Sequence, residues 1–585
     1  MRSSQTIGSV LRLVFPKGTN LSADGTLQSM PILPTDVFAG VGILIEYSGI
    51  YHRIKPASLS ESNAEDASKV EQYIDLPLSA KRIELSAEEI ISGGVNCWVR
   101  LGKAWRQNSD INNILDKLWR VITKDLDQSV VVITQADDSR LWLKAALALF
   151  AICGEAGEGV GYVDGSWVAL AVRRAEGGER AEIIDDKFPL HLRTSAKDGS
   201  MCVLADENVV CVMPKSRTPM VGCTLRTMSH NLALLPPPHK ASAFWYRPPT
   251  QLEKNTKPLN LLLVPFPYEI NATDFRTIEM EPSYAPQFDR WGEFDLAQSW
   301  LGKIELVNFI DDLIAASEKK GTIVEGIVFP EYALNWDNYE KLVDSIRSKH
   351  KHIKFLVSGS SEDGVDGVVR SGNFVLTTMF YDDNNGGGRI AVTSGRGKHH
   401  RWRLNGPQVE SYCLDSVLDA NTFWWENIDL TERRISSTVF RERSVFTTLI
   451  CEDLARSEPV HSVLQSIGPN LVFVLLMDGP QLKDRWAARN ATGLAEDPGS
   501  SVLTFTCRGL LHRQKERVGG PSANYTIALW KDDTQRVKEI VCLPDHDAVV
   551  VTLSAARARE TTLDGRSNAD AWAWRMSGYQ PLSRN

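Results

Sequence analysis

Three residues in the second half of the chain combine a reactive side chain with a position suited to use it. Glu331 closes the run IVFPE, Lys398 lies in GRGKHHRW, and Cys451 closes VFTTLI and opens CEDLAR. Each follows an apolar run that reads as a strand, and strand ends are where α/β folds hold reactive groups on a rigid scaffold. A thiol attacks as the thiolate, which an adjacent base can generate. Glu331 is the candidate base, taking the thiol proton and returning it to a leaving amine. Lys398 is the candidate to stabilise the negative charge that develops on the substrate. The chemistry implied is acyl transfer to the sulfur of Cys451 and hydrolysis of the acyl-enzyme. Glu331 and Lys398 are expected to raise the thiolate fraction of Cys451 and so make it the most reactive thiol of the chain.

The elements that would position these residues form a regular series. LNLLLVPF (259–266) is a continuous apolar run, as in a strand covered on both faces. Leu306, Phe309, Ile310, Leu313 and Ile314 keep helical spacing, as do Tyr339, Leu342, Val343 and Ile346. Further strands are expected at 323–329, 353–359, 374–381, 389–394, 445–450, 471–477, 502–507, 525–530 and 548–553, with a helix at 481–495. Helices alternate with strands early and strands dominate later, which predicts an α/β sandwich. Upstream, the proline-rich stretch 236–258 reads as a connection. The organisation expected is a mixed α/β region of unassigned function over 1–240, a linker over 241–258, the sandwich over 259–565 and a tail over 566–585. Within the first region, 130–134, SWVALAVRR and NVVCVMP read as strands, 140–152 as a buried helix, and 57–70 and 174–200 as loops.

The order IVFPE…Lys398…CED resembles the nitrilase, or carbon–nitrogen hydrolase, superfamily over about residues 258–565. RSGNFVL (370–376), RWAARNATGLAEDPGSSVLTFTCRG (485–509) and VGGPSANYTIALW (518–530) match the rhythm of that family. The resemblance implies an αββα sandwich that pairs into homo-oligomers. It also implies Glu331 as general base, Lys398 as stabiliser of the tetrahedral intermediate and Cys451 as nucleophile. It implies an amide substrate before a nitrile one, and no cofactor or metal. The sequence departs from the family pattern at Arg401, where an apolar residue is usual. A second carboxylate beyond the lysine is common in amidases, and Glu410 is the candidate. CEDLAR and KHHRW also resemble nitrilase domains associated with bacterial defence reverse transcriptases. That gives an alternative function: an assembly or regulatory module of an antiviral system, partnering a reverse transcriptase. Val460, Val463, Leu464 and Ile467 form a helical stripe after Cys451 and are the expected two-fold interface.

Composition narrows the rest. The chain has 585 residues, with 65 Lys+Arg against 73 Asp+Glu for a net charge of −8. A general affinity for nucleic acid or anionic membrane is not expected, so any basic site must be local. The cluster KHHRWR (398–403) is such a site. It suits phosphates or bases, or the lining of the pocket around Lys398. Nine cysteines with wide spacing and no CxxC fit neither a disulfide framework nor a zinc knuckle. No leader or membrane-spanning run is read, so a cytoplasmic protein is expected. Tyr381-Asp382-Asp383 reads as a hairpin tip, and GEAGEGVG (154–161) as a loop after a helix.

Overall fold

The computed structural model describes residues 5–20, 25–54, 62–75, 84–106, 111–131, 140–162, 199–237, 240–278, 291–383, 388–430, 433–518 and 524–584. The first part of the chain is mainly helical among these residues. Leu141–Ala156, expected as a buried helix, is buried on nearly every side. It packs against Pro34–Ser48, Gly94–Trp105 and Ile111–Thr123, with Phe38 and Phe150 stacked at 4.2 Å. Its all-round hydrophobicity thus marks the centre of a helical bundle. Gly102 permits one of these contacts, since a Cβ there would lie 2.5 Å from the carbonyl oxygen of Ile152. NVVCVMP supplies the strand Cys211–Pro214, which pairs antiparallel with Leu232–Leu235. The polar stretch expected as a loop over 57–70 instead enters the helix Ala64–Asp75, whose Val70 and Tyr73 are buried. Two apolar positions one turn apart suffice to dock it. Val130 and Val131 form no strand, and 132–134, SWVALAVRR and most of 174–200 lie outside the described residues.

The second part is built on two seven-stranded mixed sheets. The first runs in the order Arg389–Gly397, Arg370–Asp382, Phe355–Asp363, Gly326–Val328, Leu259–Leu263, Ala548–Thr561, Ser567–Leu582. The second runs Val537–Val541, Thr526–Lys531, Ser501–Thr506, Leu471–Leu476, Ser444–Ile450, Arg434–Arg441, Ser242–Tyr246. The strands expected around Glu331, Lys398 and Cys451 are all present, as is a helix at Trp486–Glu496. The sheets share a core. Phe355 of the first lies 5.0 Å from Phe446 and 6.2 Å from Phe473 of the second, ring centre to ring centre. On its other face the first sheet buries Leu262, Ile327 and Leu356 with Phe309, Ile310 and Leu313 of helix Leu306–Lys319 and Leu342 and Ile346 of helix Trp336–Lys349. A four-stranded sheet, Arg403–Leu404, Phe423–Glu426, Trp291–Leu296 and Phe275–Ile278, stands beside them. Tyr381 and Asp382 end the strand Arg370–Asp382, where Asp382 pairs antiparallel with Arg389, and residues 384–387 between the two strands lie outside the described residues.

Several expectations change. Residues 242–246, expected within a linker, pair in parallel with Arg434–Thr438 as the edge of the second sheet. Residues 567–582, expected in a tail, form the last strand of the first sheet. Trp574 in that strand is fully buried, donates to Ser444 Oγ at 3.1 Å and lies under the Arg441 guanidinium. Both segments satisfy edges that would otherwise be open. The stripe expected as a two-fold interface is buried inside the chain: Val460, Val463, Leu464 and Ile467 are at most 1% exposed. Their helix, His461–Ile467, packs against Leu232–Leu235 from the first half of the chain, which covers the stripe. Among the described residues no helix is long and apolar enough to cross a membrane.

Candidate active site

Each of the three sequence-selected residues sits where a strand ends. Glu331 follows Gly326–Val328 through Phe329 and Pro330, and Tyr332 then turns the chain with a φ of 57°. The turn lies flat on the neighbouring strand because residue 359 is glycine. A Cβ there would come within 2.4 Å of the Pro330 carbonyl oxygen and 2.5 Å of Glu331 Cα. Lys398 follows Arg389–Gly397, and its backbone N–H donates to the Asn373 carbonyl at 2.8 Å. Cys451 follows Ser444–Ile450 and heads the short helix Glu452–Ala455. Its backbone has φ 41° and ψ −105°, a strained conformation for an L-residue, and its N–H donates to Leu475 O at 2.9 Å. Strain of this kind persists only where surrounding structure imposes it. Here Asp453 ties the turn to the lysine loop. It accepts from His399 N at 2.9 Å and from Arg396 Nη1 at 3.2 Å, while Arg396 Nη2 donates to Thr448 O at 2.8 Å.

The structure brings Glu331 and Lys398 into direct contact and adds a carboxylate that sequence reasoning missed. Lys398 Nζ lies 2.9 Å from Glu331 Oε1 and 2.8 Å from Glu426 Oε2. Asn373 Nδ2 bridges the two acids, at 2.8 Å from Glu331 Oε1 and 2.7 Å from Glu426 Oε1. The remaining oxygen positions are also filled. Glu331 Oε2 accepts from Met477 N at 2.6 Å. Glu426 accepts from the Tyr332 hydroxyl and from Trp402 N, each at 2.8 Å. All three charged side chains are buried. Glu410, the expected second carboxylate, is exposed on the helix Gly406–Ser411. Pro407 starts that helix and its register turns Glu410 outward. Glu426 ends the strand FWWE just as Glu331 ends IVFPE, and that shared form was the available signal.

Burial and mutual charge set the protonation states. Burial pushes Glu331 upward and Glu426 adds to this, while Lys398 pulls the other way; the balance lies above the ordinary carboxylate value. Burial alone would lower Lys398, but Glu331 and Glu426 outweigh it and hold the ammonium well above its usual range. Burial pushes the Cys451 thiol well up, Glu331 adds to that, and Lys398 opposes it. Of the two residues expected to raise the thiolate fraction of Cys451, Lys398 acts in that direction and Glu331 against it, and burial of the sulfur, 4% exposed, favours the thiol. The exposed cysteine is Cys223. The arrangement is a neutral nucleophile in the field of a carboxylate of raised basicity and a fixed ammonium. It becomes reactive only when a proton moves from sulfur to carboxylate.

No protein-family model and no curated protein matches the chain. Solved structures similar to it are nitrilase-superfamily members. One is the branch 10 member Nit3 of Saccharomyces cerevisiae, at 10% identity and a TM-score of 0.26, covering 57% of this chain and 93% of that one. Another is a CN-hydrolase superfamily protein of Xanthomonas campestris with an arsenic adduct in its active site, at 11% identity and a TM-score of 0.25, covering 51% of this chain and 90% of that one.

Proposed function

We propose that the chain is a thiol-dependent hydrolase of carbon–nitrogen bonds, with amides as substrates before nitriles. The observation that carries this is the buried Glu331–Lys398–Glu426 ion triplet, 2.9 Å and 2.8 Å at its two links, in the field of a cysteine on a strained strand-to-helix turn. A structural triplet alone gives no reason for a strained thiol in its field.

Cys451 Sγ attacks the amide carbonyl carbon as Glu331 takes the thiol proton. Carbonyl π electrons move to oxygen, where the Lys398 ammonium meets the developing negative charge. Glu331 returns its proton to the nitrogen, the C–N bond breaks and an amine or ammonia leaves. Water then attacks the thioester, Glu331 again removes the proton, and collapse releases the carboxylic acid and restores the thiol. Glu426 acts through Lys398, keeping it charged and aimed.

The test is ammonia or amine release from a panel of primary amides, N-carbamoyl compounds and nitriles. Release that disappears in Cys451→Ala supports the proposal. A correctly folded chain inert toward the whole panel would return the account to the assembly reading.

A further inference from the structure

A cleft of about 630 Å³ is lined by residues adjacent in sequence to the reacting cluster, while Glu331, Lys398, Glu426 and Cys451 themselves are not among its walls. Its walls include His399, Trp425 and Glu452, the chain neighbours of Lys398, Glu426 and Cys451. Four arginines line it, Arg401, Arg403, Arg433 and Arg456. Arg456 is paired with Glu452 at 2.8 Å and Arg401 with Glu293 at 3.2 Å. Arg403 and Arg433 have no acidic partner among the described residues, and both are exposed.

The uncompensated charge is joined to aromatic surface. Arg403 pairs across the small sheet with Trp425, and its guanidinium lies 5.6 Å from that ring and 5.1 Å from the Phe423 ring. Phe423 is 45% exposed and pairs with Trp291, itself 36% exposed, on the next strand. Of these rings the half-buried Trp425 lines the cleft, and an aromatic wall beside an arginine accepts a flat heterocycle. Arginine forks bind phosphate oxygens in bidentate fashion, which suits two arginines lining one cleft to a phosphate monoester.

We propose that this cleft binds a nucleotide unit, with the phosphate between Arg403 and Arg433 and the base against Trp425. This goes beyond the preceding reading, and its test requires no turnover. A free mononucleotide and a single-stranded nucleic acid present the same chemistry.

The experiment is equilibrium binding to the full chain, by calorimetry for AMP and inorganic phosphate and by anisotropy for a labelled oligouridylate. It is run on the wild type, on Cys451→Ala and on the double variant Arg403→Ala/Arg433→Ala. Saturable AMP binding, weakened about tenfold or more in the double variant and kept in Cys451→Ala, supports the site with a free nucleotide as its ligand. Oligouridylate binding with the same dependence, in the absence of AMP binding, supports it with a nucleic acid as its ligand. Because Cys451→Ala abolishes the proposed hydrolysis but not this binding, failure of one reading is told apart from failure of the other. No binding of either probe, affinity unchanged in the double variant, or inorganic phosphate binding as tightly as AMP overturns the assignment. Should the double variant fail to fold, Arg433→Glu, at an exposed side chain, gives the same readout.

Discussion

Replacing Glu426 with glutamine tests the part of the site that the sequence did not announce. Glu426 Oε2 lies 2.8 Å from Lys398 Nζ, which at an effective dielectric of about 20 is an attraction of about 6 kcal/mol. Burying both charges offsets part of that, and breaking one side of a buried pair costs about 3–5 kcal/mol. Glutamine keeps the volume but converts one acceptor oxygen into a donor. Tyr332, Asn373, Lys398 and Trp402 all donate to this carboxylate, so at least one donor meets another. Lys398 is left with Glu331 as its only carboxylate partner in the cluster, which ties up the proposed base as well. The expected result is a marked fall in the urea midpoint of the variant. Hydrolysis should fall by about a hundredfold or more, the scale of losing one preorganised charge at an oxyanion. Urea unfolding followed by tryptophan fluorescence and steady-state amide hydrolysis measure the two effects. A Glu426→Gln chain with wild-type midpoint and wild-type rate would refute the reasoning.

Three further outcomes follow from the same geometry. At Cys451, with φ 41°, Gly should be tolerated at least as well as Ala, since relief of about 1–3 kcal/mol of strain outweighs glycine's entropic cost; a Gly variant clearly less stable than the Ala variant removes the strain argument. Hydrolysis should decline on the acid side as Glu331, whose burial raises it above the ordinary carboxylate value, takes up a proton, and a rate–pH profile with no acid limb contradicts its role as base. His230 is buried between Thr218 Oγ1 at 2.8 Å and Arg566 O at 3.0 Å, and burial lowers it to about 3. The unfolded chain then binds the extra proton first, so stability is full above the unfolded value of about 6.5 and falls by about 1.4 kcal/mol per pH unit down to the folded value. His230→Gln should flatten that slope in urea titrations from neutral pH downward, and an identical slope would show that His230 does not drive it.

Glu331, Lys398 and Cys451 were legible because each follows a run that reads as a strand within a regular series of such runs and polar turns, whatever the length of the strand that forms. Glu426 was not, because its strand lies outside that series, in a small sheet whose other strands are separated widely in sequence. The pattern of Val460, Val463, Leu464 and Ile467 correctly announced a covered face but could not say what covers it, and the answer lies more than two hundred residues upstream in Leu232–Leu235. Ser567–Leu582 reads as a tail because it has no continuous apolar run, although Ala571, Ala573 and Trp574 are buried and the adjacent Ala573 and Trp574 face opposite sides of the sheet. The balance of effects on the thiol is not readable from the sequence, for a physical reason. Types and spacing gave a lysine and a glutamate near the sulfur, whereas burial, visible only in the fold, is the dominant effect on it.

The central claim is that Cys451 carries the acyl group, and acid-quench mass mapping of all nine cysteines during turnover of an amide from the active panel tests it directly. The account predicts an acyl adduct on the Cys451 peptide and on no other cysteine, absent in Glu331→Gln and Lys398→Met. Turnover without that adduct in Cys451→Ala, or an acyl group mapped to another residue, would contradict it.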